Sequence, residues 1–358
     1  MNVAIFGAGV AGMAAAAALS ALGHHCRLYE RCASRLGAGM AFILMPEGLQ
    51  QLQAQGMWLD EGMPLHRYLH RDAQGRVLAE MPMPRGARCV LRRHLLQALA
   101  RAVPTEALVT AEGGLAHLEL DAAGRVARAR LESGYAVEAD LYVAADGVHS
   151  QARASLFPHW HSPPARVFEV VGLVEDDETA RQAGHDFNKF HDPRGGLAFG
   201  LLPAHRHTLV WYLQFDARRL PSHELPSASG LRAWLASCVG SWAPAVVRAL
   251  AWADASQMHL WRPVDADPVP CFHRGNLVLL GDAAHPLLPF SSQGCGAALR
   301  DAEALARCLQ QGPRLDVALA RYSRERRHAC LPYVKQGRAI AERFLAPGAG
   351  GAAIPVAH

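Results

Sequence analysis

Three glycines near the N-terminus have the spacing of a turn that binds phosphate. Gly7, Gly9 and Gly12 follow a short apolar run, residues 2–6, and precede an alanine-rich stretch that favours a helix. In such a motif the first glycine permits a tight turn, the second lets a pyrophosphate approach the backbone, and the third lets the helix pack closely on the strand. The helix N-terminus would stabilise the phosphate charge. The pattern favours dinucleotide binding, with Ala11 in the same turn, over a purely structural glycine turn.

An acidic residue follows at the place where the ribose of such a dinucleotide would lie. A second apolar run, residues 26–29, ends at Glu30, at roughly the 20-residue offset typical of a ribose-binding carboxylate. A carboxylate here would accept hydrogen bonds from the ribose hydroxyls and would repel a 2′-phosphate. FAD or NAD is therefore favoured over NADP, and we expect the adjacent Arg31 to contact the cofactor.

Two later segments place an acid and a glycine at the end of a buried strand. Residues 141–145 lead to Asp146, and residues 276–280 lead to Gly281 and Asp282. A carboxylate at the carboxyl edge of a parallel sheet can bind a polyol hydroxyl, and a following helix N-terminus can stabilise negative charge on a bound ring. This geometry would suit the ribityl chain and the pyrimidine edge of a flavin. The residues expected at that end are Asp146, Gly281, Asp282, Pro289, Gln293, Gly294 and Cys295.

Together, these segments resemble the class A flavoprotein monooxygenases, the para-hydroxybenzoate hydroxylase-like aromatic hydroxylases, over most of the chain. The resemblance assigns the FAD pyrophosphate to the three glycines and the ribose to Glu30. It assigns the ribityl chain to Asp282 of the G-D-A-A-H motif, and the FAD linker to Arg92, for which an ordinary solvated arginine is the alternative. The family's D-G-x-x-S-x-x-R stretch, associated with FAD and with the nicotinamide cofactor, corresponds here to Asp146, Gly147, Ser150 and Arg153.

The turn after the G-D-A-A-H motif departs from the family pattern at two positions. The family continues with P-x-x-G-x-G-x-N, in which the proline carbonyl lies near the reactive edge of the flavin. Here Pro289 and Gly294 are retained, whereas Ser292 replaces the first glycine and Gly296 replaces the asparagine. We expect flavin binding to survive, and we name the backbone of Pro289 and Gly294 as the catalytic groups. The two replacements bear on how the flavin moves or reacts.

The resemblance implies an enzyme that binds FAD non-covalently and inserts one oxygen atom from O2 into a small, aromatic substrate. NADH or NADPH would bind transiently as the reductant, since no second glycine motif is present. A flavin C4a-hydroperoxide would then deliver its distal oxygen. Alternatives on the same fold are an epoxidase, an N-hydroxylase, a reductase or a halogenase, although neither Lys189 nor Lys335 fits a halogenase motif. From a different class, the chain could be a flavin-binding interaction module without catalysis.

The predicted fold is α/β. We expect a Rossmann-like FAD-binding domain, a parallel sheet with helices, together with an inserted, mainly β substrate-binding lobe and a C-terminal helix. The inward residues of the lobe would choose the substrate, and Phe199, Trp211 and Tyr212 are candidates, although strand residues commonly fill a core. The arginines of the C-terminal helix, residues 315–344, are expected on a solvated face. The proposed boundaries are 1–64, 90–164 and 265–346 for the FAD domain, 65–89 and 165–264 for the lobe, and 347–358 for a flexible tail.

Composition argues against several classes of partner. A formal net charge of +4 without a long basic run disfavours nucleic acid, and no apolar stretch is long enough to span a membrane. The eight cysteines are scattered without metal-binding spacing, which indicates reduced thiols and a cytoplasmic protein. The pairs His66/His70 and His205/His207 lack a further ligand at suitable spacing, so no metal site is expected. Monomer and homodimer both remain open.

Overall fold

The chain folds into nineteen β-strands and nine α-helices over residues 1–32, 40–110, 112–220, 228–254, 257–264, 266–312 and 314–346, which the computed structural model describes. The predicted tail, 347–358, lies outside these ranges. The strands are β1 (Asn2–Phe6), β2 (His25–Tyr29), β3 (Ala41–Leu44), β4 (Met63–Pro64), β5 (Arg67–Asp72), β6 (Val77–Pro82), β7 (Arg88–Leu91), β8 (Leu108–Val109), β9 (Leu115–Leu120), β10 (Val126–Leu131), β11 (Ala136–Val137), β12 (Leu141–Ala144), β13 (Val167–Glu175), β14 (Asp186–His191), β15 (Leu197–Pro203), β16 (Thr208–Asp216), β17 (His259–Trp261), β18 (His273–Arg274) and β19 (Leu277–Leu279). The helices are α1 (Val10–Ala21), α2 (Pro46–Ala54), α3 (Arg92–Ala100), α4 (Gln151–Leu156), α5 (Asp177–Ala183), α6 (Ala228–Val239), α7 (Pro244–Trp252), α8 (Gly294–Gln311) and α9 (Leu315–Leu345).

A six-stranded, mainly parallel sheet positions the predicted nucleotide segments. Its order is β18-β19-β12-β1-β2-β8, and the β18–β19 pair is antiparallel. The register places Tyr29, Phe6, Ala144 and Leu279 in one row across four neighbouring strands. The carboxyl ends of parallel strands meet at one edge of a sheet. Consequently the glycine turn and the segments that follow β2, β12 and β19 all leave the sheet together.

Three helices cover this sheet and its turns. Helix α1 is buried along most of its length, because its run of alanines lets neighbouring elements approach from several sides. It packs against α8, which in turn packs against the long helix α9. The Tyr322 hydroxyl of α9 donates a hydrogen bond of 3.0 Å to the Leu279 carbonyl of β19. The C-terminal helix is thus fastened to the sheet that carries the nucleotide segments.

The largest sheet has seven strands in the order β17-β13-β16-β15-β14-β5-β6. Successive residues of a strand point to opposite faces. One face buries an apolar core against α6 and α7, including Leu235 and Val246. The opposite face, which we call the inner face, packs near β3 and β7 through residues such as Tyr68 and Phe187. The predicted turn at residues 203–207 joins β15 to β16 as a hairpin.

The α/β fold prediction is confirmed, whereas the residue boundaries between domain and lobe stay a prediction. Two features were not predicted: the antiparallel sheet β11-β10-β9, inserted between β8 and β12, and the three-stranded sheet β3-β7-β4. The C-terminal helix is confirmed, but the solvated-face expectation is wrong for Arg326, which is 5% exposed. None of the described helices combines the length and apolar character needed to cross a membrane. None of the eight cysteines, all of which lie in the described residues, forms a disulfide bond.

Candidate functional site

Two of the three motif glycines are required by close backbone packing. Gly7 has φ +97°, and a Cβ there would lie 2.4 Å from the Ala145 carbonyl oxygen. A Cβ on Gly12 would lie 1.8 Å from the Gly7 carbonyl oxygen. No side chain fits at either position without moving backbone. These glycines therefore let α1 start directly behind the β1 turn.

Gly9, by contrast, borders open space. The nearest atom to a Cβ built on it is Nη2 of Arg92, at 3.6 Å. Gly9 is the N-cap of α1 and supplies no side-chain cap, which leaves first-turn N–H groups for another acceptor. Ala11 lies on the other side of the turn, where a Cβ on Gly281 would approach its methyl group to 2.9 Å. The glycine turn, which we call the cradle, is therefore open on the side of Gly9 and closed on the side of Ala11.

Glu30 is oriented by the glycine turn itself. Its carboxylate accepts hydrogen bonds from the backbone N–H groups of Ala8, at 2.7 Å, and Cys32, at 3.0 Å. These bonds fix the acid at the end of β2, beside the start of α1. Arg31 has an exposed side chain whose base packs against Gly114, so the structure does not bring its guanidinium into the cradle.

Arg92 begins α3 and reaches across the cradle. Its guanidinium lies 5.8 Å from the centroid of the Phe42 ring, and its buried Nε has no hydrogen-bond partner within the described residues. Burial lowers the pKa of Arg92, while Cys295, Asp282 and Glu30 act in the opposite direction, which places all three near the guanidinium. The structure therefore brings Arg92 together with the glycine turn and the G-D segment.

Asp146 and Arg153 organise the segment after β12. One Asp146 carboxylate oxygen accepts from the backbone N–H of Gln151 at 2.8 Å, and the other is buried without a partner in the described chain. Burial raises the pKa of Asp146, against opposing hydrogen bonds that include one from Ser150. Ser150 caps α4 by accepting from the Arg153 N–H. The Arg153 guanidinium donates to the carbonyls of Asp282, at 2.9 Å, and Ala283, at 3.0 Å.

These contacts refine what the resemblance implies for the D-G-x-x-S-x-x-R stretch. Arg153 is 5% exposed and also packs on Trp160, with 4.1 Å between its guanidinium carbon and the ring centroid. In this structure Ser150 and Arg153 are engaged by protein groups and join the D-G and G-D segments. The unpartnered Asp146 oxygen is the group of this stretch that is left for a cofactor.

The G-D segment after β19 rests on a buried ionic network. Gly281 has φ +57°, and its N–H donates to Asp301 at 2.8 Å. The same carboxylate lies 2.6 Å from Nε2 of His285 and 2.6 Å from Nε of Arg326. Burial would raise the pKa of Asp301, but His285 and Arg326 lower it to about 2. The network holds the turn that presents Asp282.

Asp282 has an exposed side chain in the cleft, as we call the region bordered by Gly9, Arg92 and Asp282. Protein groups nevertheless desolvate its carboxylate, which raises the pKa of Asp282, while His285, Arg92 and Arg153 act in the opposite direction. His285, Asp301 and Cys330 are the group of three potential metal ligands found among the described residues. Asp301 is already engaged by Arg326 and the Gly281 amide, so we interpret this group as structural.

The turn from Pro289 to Gly294 closes this end of the cleft. Ser292 has φ +54°, the one non-glycine residue with positive φ in the described chain, so serine keeps the left-handed conformation that the family's glycine would adopt. A Cβ on Gly294 would meet nothing within 4 Å, and α8 begins there without a side-chain cap. Gln293 accepts from Arg300 at 3.0 Å, and Arg300 also lies over Gly296. The start of α8 is thus open to the cleft.

The three substrate candidates lie on opposite faces of the seven-stranded sheet. Phe199 and Trp211 are fully buried and stacked, with ring centroids 5.7 Å apart, in the core beneath α6 and α7. Strand alternation explains the outcome, because neighbours in sequence point to opposite faces. Tyr212 points to the inner face and is half-buried, so it is the candidate that we retain.

Several polar residues of the inner face were missed by the sequence interpretation. Lys189 and Glu169 are buried there, joined through Gln214. Lys189 Nζ lies 5.7 Å from the ring centroids of both Tyr212 and Phe290, the latter in the Pro289 turn. The scarcity of lysine, with two in the whole chain, was the available signal, but only the sheet register shows which residues Lys189 faces.

The cleft has the polar groups that a bound dinucleotide requires. The glycine turn borders open space at Gly9. Neither α1 nor α8 has a side-chain cap, so N–H groups of their first turns are left for another acceptor. Two buried polar atoms, Arg92 Nε and Asp146 Oδ1, have no partner in the described residues, although buried polar atoms nearly always have one. These groups match the acceptor and donor pattern of a pyrophosphate and a polyol. The chemistry of the site is therefore compatible with FAD.

Known proteins resemble this chain over nearly its whole length. The FAD binding domain family matches residues 1–336. A 3-amino-4-hydroxybenzoate 2-monooxygenase of Streptomyces cremeus is 30% identical over 369 residues, covering 97% of this chain and 88% of that protein. An FAD-dependent urate hydroxylase of Klebsiella pneumoniae is 30% identical over 339 residues, covering 91% and 86%. The solved structure of Klebsiella pneumoniae HpxO complexed with FAD and uric acid has a TM-score of 0.86 at 25% identity, covering 96% of this chain and 89% of that chain.

Fold, site chemistry and relatives agree. The parallel sheet brings the glycine turn, Glu30 and the G-D segment to one edge, and the family match spans all three. The relatives named above are monooxygenases or hydroxylases that cover most of this chain. The chain therefore belongs to the FAD binding domain family, among the para-hydroxybenzoate hydroxylase-like class A flavoprotein monooxygenases, and is an FAD-dependent monooxygenase.

Proposed function

We propose that this monooxygenase takes electrons from NADH or NADPH and oxygenates a small aromatic substrate bound between the inner face and the Pro289 turn. One observation carries the proposal: Lys189 lies 5.7 Å from the centroid of Tyr212 on the inner face and 5.7 Å from that of Phe290 in the turn. Polar groups of the lobe therefore face the turn that corresponds to the reactive edge of the flavin in the family.

FAD, when bound, supplies the electron transfer and oxygen activation. We assign its pyrophosphate to the open side of Gly9 and the start of α1, its ribose to Glu30, and its ribityl chain to Asp282. Arg92 would contact the linker between the two halves. The start of α8 at Gly294 and Cys295, with the Pro289 backbone, would stabilise negative charge at the flavin ring through oriented N–H groups.

Apolar side chains form one part of the proposed substrate site. Half-buried Ile43, Leu173 and Tyr212 border the inner-face core, which contains Tyr68 and Leu202. An aromatic substrate would gain from burial against these side chains, and a dry site strengthens every electrostatic contact within it. Polar groups at the Lys189 end would then set the orientation of the ring.

The test is oxygen incorporation by FAD-loaded protein. Consumption of NADH and NADPH in air would be followed with 3-amino-4-hydroxybenzoate, urate and 6-hydroxynicotinate, which occur in the names of relatives. We expect at least one aromatic compound to accelerate reductant consumption and to yield a product that gains one ¹⁸O atom from ¹⁸O2. Flavin that no reductant reduces, with or without these compounds, would contradict the proposal.

A further inference from the structure

Lys189 is a buried cation on the inner face of the substrate lobe. The chain has two lysines; Lys189 on β14 is 3% exposed, whereas Lys335 on α9 is exposed. Burying an ammonium group is unfavourable unless acceptors surround it. A buried lysine with incomplete partners at the edge of an active site therefore calls for a function.

The sheet register places Lys189 beside the smallest residues of the central strand. Lys189 pairs with Gly200 of β15, and Gly200 pairs with Tyr212 of β16. Two positions along β15, Ala198 is also small, so this strand itself presents no large side chain beside Lys189. A Cβ on Gly200 would lie 2.1 Å from Cζ of Tyr212, which means that the tyrosine ring lies across the glycine. Lys189 and Tyr212 thus meet above the central strand.

The ammonium is held from one side by a hydrogen-bonded chain. Lys189 Nζ donates to Oε1 of Gln214 at 2.7 Å, and Nε2 of Gln214 donates to Glu169. No other hydrogen bond of Nζ is found in the described part of the chain, although an ammonium can donate three. Burial lowers the pKa of Lys189 to about 8 and raises that of Glu169 to about 7. The charges are separated by an amide, so each compensates the other incompletely.

Unpartnered polar atoms cluster around Lys189. His70 pairs with Lys189 in the register, and its ring stacks on that of His191 with 4.3 Å between centroids. Nε2 of both histidines and the hydroxyls of Tyr68 and Ser291 are buried without partners in the described residues. Tyr68, His70 and Ser291 are at most 3% exposed. Such groups normally have partners, so their clustering beside an unsaturated ammonium points to a ligand that supplies acceptors.

We propose that Lys189, held in place by Gln214 and Glu169, determines substrate specificity by binding an anionic oxygen of the substrate, a carboxylate or a ring oxyanion. The inference rests on the proposed function, because it assumes that the inner face borders the substrate at Lys189. An aromatic anion would satisfy the remaining ammonium donors, whereas a neutral analogue would leave them unpaired. The preference for the anion follows from that difference.

The test is equilibrium binding to the FAD-loaded protein. The probes are two matched pairs, 4-hydroxybenzoate with 4-hydroxybenzamide and 6-hydroxynicotinate with 6-hydroxynicotinamide, followed by the change in flavin absorbance and by calorimetry. We expect the wild type to bind the acid of at least one pair about tenfold more tightly than the amide. Lys189→Met should reduce the ratio to about one, and Lys335→Met, the matched control on the surface, should leave it unchanged.

The outcomes separate a specificity role from a structural one. Equal affinity for acid and amide in both pairs, or a preference that persists in Lys189→Met, overturns the proposal. Should Lys189→Met fail to fold because Glu169 is left unpaired, the double variant Lys189→Met/Glu169→Gln removes both charges and must also lack the preference. Acid-selective binding without oxygenation of any compound would uphold this inference while refuting the proposed function.

Discussion

At the scale of single residues, the same glycine motif performs two separate tasks. Gly7 and Gly12 are forced by packing, since a Cβ on either would lie within 2.4 Å of a backbone oxygen. Gly9 is not forced by the protein, because the nearest atom to its Cβ position is 3.6 Å away on a flexible arginine. Its lack of a side chain matters only when a ligand approaches. Stability and cofactor binding should therefore separate within one turn.

We predict that Gly9→Val folds but does not retain FAD. The valine side chain would point into the open cleft, where the pyrophosphate must approach the backbone. The flavin-to-protein absorbance ratio after gel filtration should fall to near zero, with the far-UV circular dichroism unchanged. Gly12→Val is the contrasting variant and should lose the fold itself. Stoichiometric flavin in Gly9→Val would refute the assigned phosphate site.

Ser292 stores backbone strain in the Pro289 turn, and we predict that Ser292→Gly stabilises the protein. The left-handed conformation costs a non-glycine residue roughly 1–2 kcal/mol, part of which is offset by the greater freedom of glycine in the unfolded chain. The expected net gain is about 0.5–1 kcal/mol in the unfolding free energy from urea titration. Ser291→Gly, at a neighbouring position without positive φ, should not stabilise; an equal gain there would rule out the strain explanation.

At the scale of elements, α8 and α9 together support the turn that carries Asp282. Asp301 of α8 accepts from the Gly281 amide and from His285, while Arg326 of α9 donates to the same carboxylate. Breaking one partner of such a buried group typically costs 3–5 kcal/mol, roughly, because the remaining charges are left unpaired. The C-terminal helix thus supports the proposed cofactor site from behind, through Asp301, without facing the cofactor.

We predict that this network makes stability decrease with alkaline pH. Burial would lower the pKa of His285, but Asp301 raises it well above its ordinary value. A raised folded-state pKa contributes stability that is complete below the unfolded pKa of about 6.5 and is lost as pH rises through the folded value. The urea unfolding free energy of the wild type should therefore fall between pH 6.5 and pH 9.

His285→Gln provides the control for that prediction. The glutamine cannot be protonated in this range, so the variant should be less stable than the wild type at pH 6.5, and the difference should shrink as pH rises. Asp301 contributes in the opposite pH direction, since its lowered pKa contributes stability that is lost only when pH falls toward about 2. Parallel pH profiles for the wild type and His285→Gln would show that His285 is neutral in the fold.

At the scale of the whole molecule, the two faces of the seven-stranded sheet have different tasks. One face carries the stacked Phe199 and Trp211 and forms a closed core with α6 and α7. The inner face carries Tyr212 and Lys189 and looks toward the Pro289 turn. Trp211 thus stabilises the lobe, whereas Tyr212, the next residue of the same strand, lies at the proposed substrate site.

We predict that substitutions at these two adjacent positions separate stability from activity. Trp211→Ala should lower the unfolding free energy by about 3–5 kcal/mol, as for other large core residues. Tyr212→Phe should change it by less than about 1 kcal/mol but lower kcat/KM for the identified substrate about tenfold. Denaturant titration and steady-state kinetics would check both. A Tyr212→Phe enzyme with unchanged kcat/KM would remove that hydroxyl from the substrate site.

The sequence by itself determined those parts of the protein that depend on residues close together in the chain. Gly7, Gly9 and Gly12 predicted the β1 turn, and Glu30 and Asp282 were predicted at strand ends, because a glycine turn or a strand-terminal acid is encoded within a few residues. Parallel pairing in sheets joins their ends, so the fold class and the convergence of these segments followed as well. These motifs alone favoured FAD or NAD, and the family resemblance that they carry assigned FAD.

Only the tertiary structure decided which side chains face each other across strands and helices. Alternation gives two faces of a sheet but not which one is covered, so Phe199 and Tyr212 were equivalent as candidates until the helices covered one side. Arg326 was expected in solvent because its partner Asp301 lies 25 residues earlier, on another helix. Lys189 gained significance only through its register with Gly200 and Tyr212, because pairing between distant segments is set by packing and not by local pattern.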